Sequence, residues 1–290
     1  MKNVQEKLNY NNKLKKDKIY HYTNCEALIN IIKKNELWLT DRDFMNDTMD
    51  RKYVDKLIKK SISEILNEKK YTQEDKRRFK NSIIDKLISV PYEQHVKQYV
   101  FSLSNEKDLI HQWAHYGKND GYCIEFSKSR LSKYFYEANK DQKIIEGNVI
   151  YERDYRNIKK YLLNLFEEVP KLTNQKTSIK EEKNIYDNLS IKYKLYALVK
   201  QYGNYSEREF RFIVQSSINP EYRGKNGIVT PYIIVSIKKN EKENLPLPIK
   251  KIIIGPYNND KIAKIGLKRF LFEKGYKKVI IEESEMKFRK

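Results

Sequence analysis

Residues Lys18 to Asp47 read KIYHYTNCEALINIIKKNELWLTDRDFMND, and the succession of local signals within this stretch decides the fold. IYHYT is rich in β-branched and aromatic residues, which pack well on a pleated surface, and reads as a strand. Thr23 and Glu26 have the S/T-x-x-E spacing of a capping box. Leu28, Ile31 and Ile32 supply an apolar stripe at helical spacing, so a helix follows the strand directly. Asn35 stops it, and LWLT forms a second strand. His21, one of four histidines in the chain, stands between two tyrosines. A core residue, a metal ligand and part of a nucleotide pocket are all open readings of it.

Working outward, Thr48 to Val90 carry two amphipathic helices. Val54, Leu57, Ile58, Ile62 and Ile65 line the first; Phe79, Ile83, Ile84, Leu87 and Ile88 line the second, which TQED at Thr72 caps. QYVFSLS and GYCIEFS read as strands flanking HQWAHYG, and GNVIYE as another. Residues 154–200 read as helical, with a polar break at TNQKTS. Strands resume at REFRFIVQ, PYIIVSI and KKIIIGP, and a helix and a last strand, KKVIIEE, follow. No internal repeat and no Gly/Ser/Pro-rich linker divides the chain. The expectation is one α+β domain over residues 1–290, with helical insertions at about 48–90 and 154–200.

The net charge is +20, from 59 basic and 39 acidic residues. Such a field draws polyanions, above all nucleic acid, by releasing their counterions. Only 12 of the basic residues are arginine, however, and lysines spread over solvated helix faces produce the same total. The opening segment has no apolar core of the kind a signal peptide needs. No apolar run approaches the roughly 20 residues of a membrane span. Two cysteines make no disulfide framework, so a cytoplasmic protein without membrane contact is expected.

Several familiar sites are missing. There is no G-x-x-x-x-G-K-[ST] loop and no G-x-G-x-x-G, and nine glycines leave little for a glycine-rich phosphate cradle. HQWAH sets His111 and His115 four apart, but Gln112 stands where H-E-x-x-H has its general base. No metal is called for there, and Trp113 reads as core. SEREFRFIV, taken as a strand, alternates: Glu207, Glu209 and Arg211 share one face, Phe210, Phe212 and Val214 the other. That polar face is either a local ion pair on an edge strand or a site where Arg211 orients one carboxylate towards a ligand. Asn46 and Asp47 in FMND suit a turn or helix cap, or polar contacts to a sugar.

Read together, these segments resemble the bacterial family called domain of unknown function 2971. The resemblance runs through YHYT, LWLT, MND, FSLS, W..YG, GYCIEF, VIY, K....Y..EREFR and IIIGP, in that order, over residues 19–256. The chain departs at the third motif, with Thr48 and Asp50 where the family usually has proline and glutamate. IYHYTNCEALINIIKKNELW also resembles, more distantly, the opening of the ADP-ribosyltransferase fold in its DNA-modifying toxin branch. That resemblance implies a mixed-sheet core, NAD held without a glycine-rich loop, and a catalytic glutamate in a Glu-x-Glu pair, matched here by Glu207 and Glu209. By the same resemblance His21 would bond the nicotinamide-side ribose, with Thr23 beside it. Glu209 would oppose the oxocarbenium-like charge as nicotinamide leaves. Asn46, Asp47, Trp113, Tyr116 and Arg211 complete the expected NAD-binding set, and Tyr116, Trp38 and Tyr53 are the aromatics open to stack on nicotinamide. The implied function is transfer of ADP-ribose to nucleic acid, in phage defence or as a toxin. The alternative is a nucleic-acid-binding module, or a nuclease whose Glu207, Glu209 and Asp47 bind a divalent metal. A carboxylate serving such a cleft is expected to stabilise chemistry more than structure.

Overall fold

A computed structural model of the chain describes residues 17–45, 51–84, 97–117, 120–173, 194–225, 227–258 and 261–286. It is a mixed α+β structure in two compact units. One comprises Met1–Asp41, Tyr99–Glu146 and Ser206–Lys290, the other Arg42–Gln98 and Gly147–Tyr205.

The first unit is built on β1 (Lys18–Asn24), helix α1 (Cys25–Lys34) and β2 (Leu37–Asp41), the succession read from the opening stretch. The cap differs from that reading by one residue. Asn24, not Thr23, is the N-cap, and its Oδ1 accepts from Ala27 N at 2.8 Å. Thr23 instead stays in the strand, buried opposite Tyr122, so Asn24 is the first side chain free to turn back on the helix. Asn35 ends α1 in the left-handed region (φ 53°), which asparagine tolerates better than most residues.

β3 (Lys97–Ser104), β4 (Gly121–Ser127), β5 (Lys143–Asn148), β8 (Glu209–Ser216), β9 (Glu221–Lys225), β10 (Ile228–Val235), β11 (Ile249–Ile254) and β12 (Ile280–Glu283) complete the main sheet. Its order is β12-β11-β4-β1-β3-β2-β10-β9, with β8 paired to β3 and β5. β1 lies antiparallel to β4 along its whole length, from Lys18 opposite Ser127 to Asn24 opposite Gly121. β12 joins β11 in parallel, which makes the sheet mixed. One face carries Ile19, Ile124, Phe126, Ile252, Phe101, Phe212 and Ile233. It is closed by Leu28 and Ile32 of α1, Leu131 and Phe135 of α4 (Lys128–Ala138), and Leu267 and Leu271 of α6 (Lys261–Glu273). Helix α4 and the edge strand β9 carry no strong signal in the sequence and were not anticipated from it.

The second unit packs α2 (Arg51–Asn67), α3 (Gln73–Phe79) and α5 (Arg156–Thr173) beside a two-stranded parallel pair, β6 (Ile150–Glu152) and β7 (Val199–Gln201). GNVIYE thus divides between β5 and β6 rather than forming one strand. The expected stripe of α2 is its core: Val54, Leu57, Ile58, Ile62 and Ile65 meet Phe79, Ile83, Ile84, Ile158 and Leu162. Thr72 and Asp75 make the reciprocal capping box of α3, the hydroxyl accepting from Asp75 N at 3.1 Å. Leu87, Ile88 and the polar break after Thr173 lie outside the described residues.

Candidate functional site

β3 changes partners along its length. Ser104 pairs with Tyr20 of β1, whereas Tyr99 and Val100 pair with Asp41 and Thr40 of β2. Phe101 and Ser102 fall between these pairings, and His21 occupies the gap. Its ring stacks on Phe101, with centroids 4.5 Å apart and planes at 28°, and its Nδ1 bonds the Ser102 carbonyl at 3.0 Å. A carbonyl only accepts, so Nδ1 carries the hydrogen and Nε2 keeps its lone pair in the neutral ring.

Burial is the largest influence on this imidazole, and the Arg223 charge adds to it. Against the opposing Ser102 bond they bring its pKa down to about 4. The unfolded chain therefore binds a proton at His21 that the folded chain refuses between pH 4 and 6.5. The stability this contributes is complete above pH 6.5 and is lost as pH falls towards 4, by roughly 2–3 kcal/mol. Urea midpoints at pH 7 and 4.5 check this: wild type is expected to lose more over that interval than His21→Asn, and equal losses would remove His21 as the source.

Beside the gap lies a cationic and aromatic platform that sequence reading missed. Arg223 of β9 reaches over β10 and donates from Nη2 to Thr40 Oγ1 at 2.7 Å. Its guanidinium lies 5.6 Å from the Trp38 ring and 5.3 Å from the Tyr232 ring, and those rings stack on each other at 4.5 Å. Trp38, one of the aromatics considered for nicotinamide, therefore belongs to this group. The only advance signal for Arg223 was an arginine in a lysine-rich chain.

Glu209 opens β8 and is 5% exposed; Arg211 is 1% exposed. The pair is bidentate, Nε to Oε1 at 2.7 Å and Nη2 to Oε2 at 3.0 Å, so the carboxylate is held in one orientation. Glu207 lies outside the strand, so the alternation expected of SEREFRFIV does not extend to it. Arg208 has a left-handed backbone (φ 50°), so the strand begins only at Glu209, and Glu207 ends a 3₁₀ turn, Tyr202–Glu207. The Glu207 and Arg208 carbonyls dock on β3's end, accepting from Ser104 Oγ and from Asn105 N and Nδ2, each at 2.8 Å.

His21 and the backbone at the start of β8 both contact the stretch Phe101–Asn105 of β3. By alternation Glu209 and Arg211 lie on the face of β8 turned away from Phe210 and Phe212, whereas His21 has the parity of core-facing Ile19.

Trp113 is not part of that arrangement. It is 1% exposed and packs edge-on against Tyr22 at 4.9 Å, with Cys123 and Ile253, on the face of β1 opposite His21. Three glycines fit around it. A Cβ on Gly117 would lie 2.8 Å from Trp113 Cε3, one on Gly121 2.3 Å from Gly117 Cα, and one on Gly255 2.7 Å from the Gly121 oxygen. Asp108 accepts the indole N–H at 2.8 Å and also holds Ser284 and Glu285. W..YG, GYCIEF and IIIGP are therefore one packing unit. Tyr116, on the same helical turn, is 48% exposed, as are the His111 and His115 side chains to a similar class. Asn46 and Asp47 lie outside the described residues. Among the described residues no group of three or more His, Cys, Asp or Glu could hold a metal ion, and no helix is long and apolar enough to cross a membrane.

Residues 112–212, from Gln112 to Phe212, match the model of a family described as "Protein of unknown function (DUF2971)". That stretch holds Trp113, Gly117, Gly121, Glu209 and Arg211, so the similarity covers both the glycine packing and the buried ion pair. A search of curated proteins found no match.

Proposed function

We propose that the first unit has an ADP-ribosyltransferase-like core and transfers ADP-ribose from NAD to nucleic acid. The observation carrying this reading is the convergence of His21 and the start of β8 on Phe101–Asn105 of β3. A neutral imidazole with a free Nε2 suits a ribose hydroxyl. A carboxylate oriented by a guanidinium suits the cationic ribose that forms as nicotinamide leaves, by the electrostatic logic of glycoside cleavage. The acceptor is argued from the net charge of +20, which favours a polyanion. A role in phage defence or as a toxin accords with this chemistry.

The buried Glu209–Arg211 fork also favours a second reading, in which the pair only supports the fold and the chain is a nucleic-acid-binding module. Incubating purified protein with NAD labelled in its adenylate, with DNA, RNA or neither, separates the two. Transfer gives nicotinamide release and label on one nucleic acid. Binding of nucleic acid that falls steeply with added salt, without nicotinamide release, leaves the binding module. Metal-dependent cutting without NAD would replace both with a nuclease.

A further inference from the structure

We propose that Arg223 is the receptor for the diphosphate of a nucleotide, held at the mouth of the β1–β2 gap between the Trp38–Tyr232 platform and Thr40. The identity of the ligand rests on the transferase reading; the presence of an oxyanion site rests on the geometry of Arg223 alone.

Three observations carry it. Arg223 makes no ion pair among the described residues, although Glu221 stands two residues away on the same face of β9. Its Nε is shielded from solvent and has no hydrogen-bond partner among the described residues, while Nη2 is committed to Thr40. A shielded guanidinium N–H without an acceptor is costly, and Nε together with the Nη2 hydrogen that Thr40 does not take offers two N–H groups to two oxygens of a phosphate. The Thr40 bond holds Nη2 while the aromatic pair lies 5.3–5.6 Å from the guanidinium, so its position is restrained before a ligand arrives.

The position fits the gap as well. Thr40, which Arg223 holds, pairs with Val100, and the next two residues of β3 are those His21 touches. Ser102 Oγ, on the same strand face as Val100, is buried without a partner and adds a hydroxyl beside the gap. Adjacent strands lie about 4.8 Å apart, so a guanidinium over β2 stands roughly 10 Å from β8. A dinucleotide bound with its ribose near Glu209 would bring its diphosphate across that interval.

Isothermal titration of the full chain with ADP, inorganic pyrophosphate and adenosine tests this. Wild type is expected to bind ADP and pyrophosphate and to bind adenosine at least tenfold more weakly than ADP. Arg223→Gln is expected to weaken ADP tenfold or more, and Arg223→Lys, which keeps the charge but not the fork, to fall between them. Melting temperatures of both variants should match wild type or exceed it. Undiminished ADP binding by Arg223→Gln, equal binding of adenosine and ADP, or no binding of either phosphate by wild type would overturn the site. If wild type binds ADP yet releases no nicotinamide from NAD, the oxyanion site stands and the transferase reading falls. If Arg223→Gln cleaves NAD with unchanged KM, the reverse holds.

Discussion

Glu209→Gln is expected to lose both activity and stability. The carboxylate stands against a forming cation in the proposed reaction, and removing one such electrostatic contact costs a factor of about 10²–10³ in rate. Arg211 is 1% exposed and would keep its buried charge with a neutral amide in place of the paired anion. Removing one member of a buried, hydrogen-bonded ion pair costs about 3–5 kcal/mol. The sequence alone suggested a cleft carboxylate whose loss barely affects folding; burial of both partners reverses that expectation. The double variant Glu209→Gln/Arg211→Met separates the effects. It removes the buried guanidinium together with the carboxylate and should recover part of the melting temperature, while nicotinamide release stays at the level of Glu209→Gln. Recovery of both would assign Glu209 to the fold and end its catalytic role.

Trp113→Ala is expected to destabilise the first unit by about 3–5 kcal/mol, the usual range for emptying a buried tryptophan site. The cavity would open among Gly117, Gly121 and Gly255, which have no side chains to relax into it. Asp108 would also lose the indole N–H. Denaturant unfolding of wild type and variant measures this. A loss under about 1 kcal/mol would mean the site collapses on its own. NAD turnover by the folded fraction should be unchanged, since Trp113 is sealed among Tyr22, Cys123 and Ile253 and touches neither His21 nor Glu209; a specific loss of turnover would return it to the binding set.

The opening strand–helix–strand was legible because its signals are local: β-branched and aromatic residues, an apolar stripe and an asparagine stop. The cap was misplaced by one residue because both Thr23 and Asn24 are good caps, and only burial of Thr23 opposite Tyr122 chooses between them. Glu207 was read as part of the strand because nothing local announces a left-handed arginine at 208. Arg223 was invisible for another reason. Its meaning depends on reaching over β10 to Thr40, across 183 residues of sequence. Pairing of that range leaves no periodicity to read.

The two tryptophans divide the molecule's intrinsic fluorescence into two separate reporters. Trp113 is 1% exposed, packed among Tyr22, Cys123 and Ile253 with its N–H on Asp108, so its emission reports the folded packing of the first unit. Trp38 lies under Arg223 and Lys34 and against Tyr232, where stacking and nearby cations govern its yield. A ligand taken up by Arg223 in the proposed site is therefore expected to change the light from Trp38, while light from Trp113 follows the integrity of the unit, within one sample and without any label.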